Sequence, residues 1–99
     1  MKLWIGKRAQ GQAVRIGRWW EEHRGAAPDL FVDELEATFR LLCSERGAGV
    51  RWPTSRRPTL RRILMPRTNN HVYFVVDEAR DTVRVLAIWG APRGTTPKP

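Results

Sequence analysis

The hydrophobic residues of this chain change their spacing once, near its middle. From residue 7 to residue 46 they recur every three or four residues, which is the period of a helix. From residue 59 to residue 89 they recur every second residue, which is the period of a strand. A chain whose helices precede its strands, rather than alternating with them, is typical of an α+β domain with helices on one side of an antiparallel sheet.

The first half predicts a short strand and a helical hairpin. Residues 2–6 form the strand, and residues 7–24 form a helix. Pro28 suits the first turn of a second helix, which runs to Arg46 and ends at Gly47. Because the loop between the helices is short, they form an antiparallel hairpin. Its core stripe is predicted to contain Ala9, Ala13, Ile16, Trp20, Phe31, Leu35, Thr38, Phe39 and Leu42. Its outer face is predicted to carry Glu21, Glu22, Asp33, Glu34 and Glu36.

The second half predicts an irregular loop over residues 47–58 and three strands over residues 59–65, 71–77 and 82–89. Strict alternation in the last strand places Val83, Val85, Ala87 and Trp89 on one face, and Arg84, Leu86 and Ile88 on the other. The pattern leaves open which of Arg61 and Arg62 faces outward.

Ninety-nine residues make one domain, predicted over residues 1–93 with a flexible tail at residues 94–99. The single cysteine, Cys43, has no partner for an internal disulfide, which favours the reducing cytoplasm. No apolar run has the length of a signal peptide or a membrane span, so no membrane association is expected.

The net charge of +8 is concentrated in two stretches. Residues 1–18 hold five basic residues and no acid, and residues 46–67 hold seven arginines and no acid. Such a basic patch attracts phosphate groups or an acidic protein, because arginine binds phosphates and carboxylates through two parallel hydrogen bonds. The predicted partner-binding residues in this region are Arg51, Trp52, Arg56, Arg57, Arg61, Arg62 and Arg67. Trp52 either stacks on a partner or packs within its own loop.

No enzyme motif is complete. The glycines are too far apart for a phosphate loop, neither histidine belongs to a metal-ligand spacing, and no cofactor or metal is expected. A metal-independent ribonuclease needs a base, an acid and cations. Arg61, Arg62, His71 and Tyr73 supply these groups if they share one face of the sheet, although Tyr73 suits a purely structural place in the sheet equally well.

Five segments together resemble the RelE/ParE toxin superfamily. They are Trp19-Trp20 in the first helix and residues 27–36, 60–65, 71–77 and 83–93, the last ending in Arg93. Their order and spacing cover residues 4–93. The resemblance implies the fold of that superfamily, with the helical hairpin packed on a small antiparallel sheet. It also implies the toxin of a bacterial type II toxin–antitoxin system, neutralised by an acidic antitoxin in a higher-order complex, and it adds Arg93 to the binding residues.

The superfamily divides by activity, and the resemblance carries both possibilities. RelE-like members cleave translated mRNA on the ribosome and usually carry a C-terminal tyrosine or histidine. ParE-like members bind DNA gyrase and block replication. No His or Tyr follows Asp77 here, which favours the ParE-like function. A simple nucleic-acid-binding module, inferred from charge alone, is the third hypothesis, and its affinity would fall steeply with salt.

Overall fold

The computed structural model describes residues 1–90, in which two helices pack on one face of a five-stranded sheet. The elements are β1 (Lys2–Ile5), α1 (Lys7–His23), α2 (Leu30–Ser44), β2 (Val50–Arg51), β3 (Arg61–Met65), β4 (Asn70–Asp77) and β5 (Thr82–Gly90). The predicted α+β architecture is confirmed. Within residues 1–90, neither helix is long and apolar enough to cross a membrane. The predicted tail at residues 94–99, and Arg93, lie outside the described residues.

The strand order is β1-β5-β4-β3-β2. Strands β3, β4 and β5 pair antiparallel, as predicted, and β2 pairs antiparallel with β3. Strand β1 runs parallel to β5, so the sheet is mixed. Strand β2 lies within the segment that the sequence predicted to be wholly irregular. Its two residues pair with Arg62 and Arg61 of β3. A strand this short carries no alternation pattern, so its sequence resembles a loop.

The main core lies between the helices and the sheet. The predicted helix stripes are confirmed, since Ala9, Phe31, Leu35 and Leu42 are buried there and Ile16 and Trp20 pack against them. They meet apolar side chains of β3, β4 and β5. A second, smaller cluster lies on the opposite face of the sheet and consists of Leu60, Tyr73, Leu86 and Ala87. The sheet therefore has a face covered by helices and a face that is not, which we call the open face.

A β-bulge shifts the register between β4 and β5. Tyr73 pairs with Ala87, whereas Phe74 pairs with Val85, so that Leu86 is the extra residue of β5. Val85 and Ile88 therefore both reach the helix-side core, while Ala87 belongs to the open face. The prediction of strict alternation through β5 was wrong from Ala87 onward, because the extra residue Leu86 inverts the phase of every side chain that follows it.

Glu34 was predicted on the outer face of the helical hairpin, and this prediction was wrong. Its side chain is buried, and its carboxylate accepts hydrogen bonds from the backbone N–H of Arg67 (2.7 Å), the backbone N–H of Thr68 (2.9 Å) and the Thr68 hydroxyl (2.7 Å). These donors belong to the β3–β4 turn, where Asn69 has a left-handed φ of 60°. The turn has backbone donors without partners in the sheet, and Glu34 satisfies them from α2.

Replacement of Glu34 by alanine should destabilise the fold. It removes the acceptor of these three hydrogen bonds and leaves partly buried N–H and O–H groups unsatisfied, which costs about 3 kcal/mol of unfolding free energy. Urea unfolding measures the loss. Glu36→Ala, an exposed glutamate on the same helix, is the control and should change the unfolding free energy by less than about 0.5 kcal/mol. Equal effects of the two substitutions would contradict the role of Glu34.

Candidate functional site

The open face combines basic and aromatic side chains at the centre of the sheet. Arg62 of β3 lies opposite Tyr73 of β4, and His71 of β4 lies between Leu64 of β3 and Trp89 of β5. Alternation brings these side chains to the same side, because residues that pair across neighbouring strands point to one face. The predicted basic surface therefore has its centre at Arg62.

Arg62 is stacked on Trp52. Its guanidinium carbon lies 3.4 Å from the centre of the Trp52 ring, the geometry of a cation–π contact. The backbone N–H of Trp52 donates to the Leu60 carbonyl at 2.9 Å and so holds the tryptophan beside β3. The Trp52 side chain nevertheless remains 38% exposed. Trp52 therefore packs against its own chain, and part of its ring remains accessible to solvent.

Arg61 points to the opposite side of β3 and binds backbone carbonyls. Its Nη2 donates to the carbonyls of Gly47, Ala48 and Gly49, each at 3.1 Å, and its Nε donates to Ala48 at 3.3 Å. These carbonyls belong to the loop that follows α2. The orientation that the sequence left open is thus decided: Arg62 faces outward, and Arg61 holds the loop to the sheet.

Gly49 permits this close approach of loop and sheet. Its φ is +79°, a conformation that side chains disfavour. A Cβ atom at this position would lie 2.8 Å from the carbonyl oxygen of Arg62 and 3.0 Å from the ring of Phe74. The glycine therefore places the three carbonyls within reach of Arg61.

The other predicted arginines do not form one cluster. Arg51 and Arg56 are exposed, and Arg57 is half-buried. Arg51 of β2 pairs with Arg61 of β3, so it lies on the side of the sheet opposite to Arg62. Arg67 follows β3 and lines a separate groove beside α2. The sequence grouped these residues because they are near each other in the chain, and the turn of the backbone at residues 66–69 separates Arg67 from the rest.

Several arginines of this region have no acidic partner within residues 1–90. Within residues 1–90, the ion pairs join Arg46 to Glu78 and Asp81, and Arg80 to Asp77. None of the following arginines has an acidic partner there: Arg51, Arg56, Arg61, Arg62 and Arg67. The surface around Arg62 is therefore free to attract a negatively charged partner.

His71 is the titratable group beside Arg62. Burial lowers the pKa of its imidazole, and the positive charge of Arg62 lowers that pKa further. The ring is therefore neutral at pH 7 and able to accept a proton. Its centre lies 6.0 Å from the ring of Tyr73, which is only 2% exposed and packs with Leu60, Leu86 and Ala87.

Of the four residues proposed for a ribonuclease, the structure brings together Arg62, His71 and Tyr73, but not Arg61. The burial of Tyr73 supports its structural alternative. The sequence also missed an aromatic–cation pair at the other edge of the open face. Arg84 of β5 lies 4.8 Å from the ring centre of Trp4 in β1. Only the parallel pairing of β1 with β5 places these two residues side by side, and no local pattern predicts that pairing.

Comparison with solved structures identifies the fold. A chain of the chromosomal ParDE TA system from P. aeruginosa superposes with a TM-score of 0.70 at 17% identity, covering 91% of this chain and 95% of that one. The isolated E. coli RelE toxin superposes with a TM-score of 0.55 at 17% identity, covering 94% of this chain and 86% of that one.

The chain has the RelE/ParE fold. The fold implied by the sequence resemblance is thereby confirmed. No family model matches the sequence, and no match is found among curated proteins. At 17% identity, the likeness to these two structures lies in the arrangement of the helical hairpin and the sheet.

Arg61 and Arg62 should respond differently to the same substitution. Arg61→Gln removes the charged hydrogen bonds to three loop carbonyls and should lower the unfolding free energy by about 2 kcal/mol. Arg62→Gln removes one half-exposed cation–π contact and should cost about 0.5–1 kcal/mol. Urea unfolding of the two variants provides the comparison. A larger loss for Arg62→Gln would show that the assigned orientations are reversed.

Arg62→Gln should also raise the pKa of His71, because it removes the positive charge that disfavours the imidazolium while burial stays the same. Titration of the His71 ring protons by NMR measures the change. The folded state binds this proton more weakly than the unfolded state, so the contribution of His71 to stability should decline as pH falls through about 6.5. An unchanged His71 titration in the variant would contradict the influence of Arg62 on this ring.

Proposed function

We propose that this chain is the toxin of a bacterial toxin–antitoxin pair, and that an acidic antitoxin segment binds the surface around Arg62 and Trp52 in the cytoplasm. The observation that carries the proposal is a basic surface in which Arg56 and Arg62 have no acidic partner in residues 1–90, placed on a RelE/ParE fold. Both structural neighbours come from toxin–antitoxin systems or are toxins by their own descriptions.

The chemistry of this surface supports an acidic amphipathic partner. Arginine pairs with carboxylates through two parallel hydrogen bonds, so Arg62 and the exposed Arg56, in the loop between β2 and β3, offer docking points for acidic side chains. Exposed apolar side chains lie on and beside β2 and β3, where Val50 is 59% exposed and Leu64 is 46% exposed. A segment with carboxylates on one side and apolar residues on the other complements both features.

For the cellular target, we propose a ParE-like action in which the toxin binds DNA gyrase and blocks replication. Two features support this target over mRNA. No His or Tyr follows Asp77 in the sequence. Tyr73, the one tyrosine of the chain, is 2% exposed and packs within the open-face cluster, so it is poorly placed to exchange a proton with a substrate. Action by binding needs no acid or base.

The second candidate is a RelE-like endoribonuclease acting on translated mRNA, and one observation favours it. His71 is held neutral beside the cation Arg62, which is the pairing of a general base with a group that stabilises developing negative charge. In this mechanism His71 accepts the proton of the ribose 2′-hydroxyl, and Arg62 contacts the phosphate that this oxygen attacks. The bond from phosphorus to the 5′-oxygen breaks, which leaves a 2′,3′-cyclic phosphate, and water protonates the departing 5′-oxygen.

Controlled expression in bacteria separates these functions. The proposed toxin arrests growth, and a small acidic protein encoded directly upstream restores growth when both are expressed. A ParE-like target predicts arrested replication and induction of the DNA-damage response, with mRNA intact. A RelE-like activity predicts cuts at codon positions in translated mRNA by primer extension. The proposal would be contradicted if the chain is harmless at high expression and no small acidic protein is encoded directly upstream of it.

Arg62→Gln combined with Trp52→Ala should weaken binding to the acidic antitoxin by about a hundredfold, because each substitution removes an anchor of roughly 1–2 kcal/mol. Isothermal titration calorimetry with the antitoxin encoded upstream measures the change. Arg40→Gln is the control, since Arg40 is an exposed arginine on α2 and lies away from the open face. Equal weakening by Arg40→Gln would mean that binding depends on net charge and not on this surface.

A further inference from the structure

A groove of about 510 Å³ lies at the opposite end of α1 from β1, between this helix, the β3–β4 turn and the end of β5. The residues that matter for its chemistry are Gln12, Arg15, Trp19, Trp20, Arg24 and Asn70. None of them belongs to the surface proposed to bind the antitoxin. The volume lies within the range of about 300–1,000 Å³ typical of small-molecule sites.

Two buried amides line the groove, and each has one end held by the protein. The Oε1 of Gln12 accepts the backbone N–H of Ile88 at 2.7 Å, so its Nε2 points the other way. The Nδ2 of Asn70 donates to the carbonyl and the hydroxyl of Thr68 at 3.3 and 3.1 Å, so its Oδ1 is the free end. Gln12 is 6% exposed and Asn70 is 5% exposed.

Within residues 1–90, neither the Gln12 Nε2 nor the Asn70 Oδ1 has a hydrogen-bond partner. Neither atom is sealed from solvent, so both remain accessible within the groove. Together they offer one donor and one acceptor to a ligand.

The wall of the groove is aromatic and its rim is cationic. The rings of Trp19 and Trp20 meet edge to face, with centres 5.8 Å apart, and the Trp19 side chain is 44% exposed. The guanidinium of Arg24 lies 5.6 and 5.7 Å from the two ring centres. Neither Arg15 nor Arg24 pairs with an acid in residues 1–90, and no Asp or Glu of that part of the chain lines the groove.

We propose that this groove binds a nucleotide. The base contacts the indole wall, as aromatic side chains commonly bind bases. The edge of the base, which carries an acceptor and a donor, pairs with the Nε2 of Gln12 and the Oδ1 of Asn70. The phosphate meets Arg15 and Arg24 at the rim. The ligand is thus a nucleoside phosphate, either free or as one residue of a single strand, and this site is independent of the proposed antitoxin surface.

Calorimetric titration of the full chain with AMP, GMP, CMP and UMP at low salt tests the site. We expect a preference for one base and a dissociation constant below about 1 mM, with inorganic phosphate alone binding at least about tenfold more weakly. In ¹⁵N-edited NMR spectra, the side-chain amide signals of Gln12 and Asn70 should move on binding. A short single-stranded RNA distinguishes the sources: tighter binding with the same amide shifts assigns the site to a strand, and equal or weaker binding assigns it to the free nucleotide.

Arg15→Gln and Arg24→Gln should each weaken nucleotide binding by about tenfold, the effect of losing one charged hydrogen bond. Arg18→Gln is the matched control, because Arg18 is an exposed arginine of the same helix that does not line the groove. It should change the dissociation constant by less than about twofold at equal salt.

Gln12→Glu tests the floor of the groove. The variant keeps an oxygen acceptor for the N–H of Ile88 but replaces the free donor with a second acceptor. It should abolish the base preference. If this variant fails to fold, the Arg15, Arg24 and Arg18 variants still decide the question, since all three positions are exposed.

Three results would overturn the proposal. The first is no saturable binding of any mononucleotide. The second is equal weakening by Arg18→Gln and Arg15→Gln, which shows attraction by net charge alone. The third is binding of an acidic peptide to the groove, through Arg15 and Arg24, in place of any nucleotide.

Discussion

The two helices of this chain cover one face of its sheet, and the rest of the structure follows from that constraint. The helix stripes meet Val72, Phe74, Val83 and Val85 in the main core, while the other face has only a small cluster around Tyr73. A strand between two such environments must separate its side chains by face. In β3 the two adjacent arginines therefore point to opposite faces. Arg61 holds the loop after α2 to the sheet, and Arg62 is available to a partner.

Buried polar groups hold the connections to this sheet. Glu34 accepts the N–H groups of the β3–β4 turn, Arg61 donates to the carbonyls of the loop after α2, and Gln12 accepts the N–H of Ile88 beyond the bulge. In each case a side chain completes backbone hydrogen bonds that the pairing of the strands leaves unmade. The bond made by Gln12 also leaves its amide nitrogen facing the groove, so structural and binding roles meet in one residue.

The basic residues divide the surface into two regions of different chemistry. Around Arg62 and Trp52, cations lie beside exposed aliphatic side chains on an edge of the sheet, which suits an extended or helical acidic segment. At the end of α1, Arg15 and Arg24 lie above tryptophans and buried amides, which suits a compact anion with a flat ring. Both regions are positively charged, so charge alone does not distinguish them. The side chains that surround the arginines in each region do.

The sequence by itself determined the α+β class, the helix stripes, the three long strands and the excess of positive charge, because hydrophobic period and composition are local properties. Its resemblance to RelE/ParE toxins also predicted the fold correctly. Only the tertiary structure decided the parallel pairing of β1, the bulge at Leu86, the burial of Glu34 and the opposite roles of Arg61 and Arg62. Each of these depends on contacts between residues distant in the chain, where one extra residue in a strand or one unpaired backbone group changes which side chain is buried.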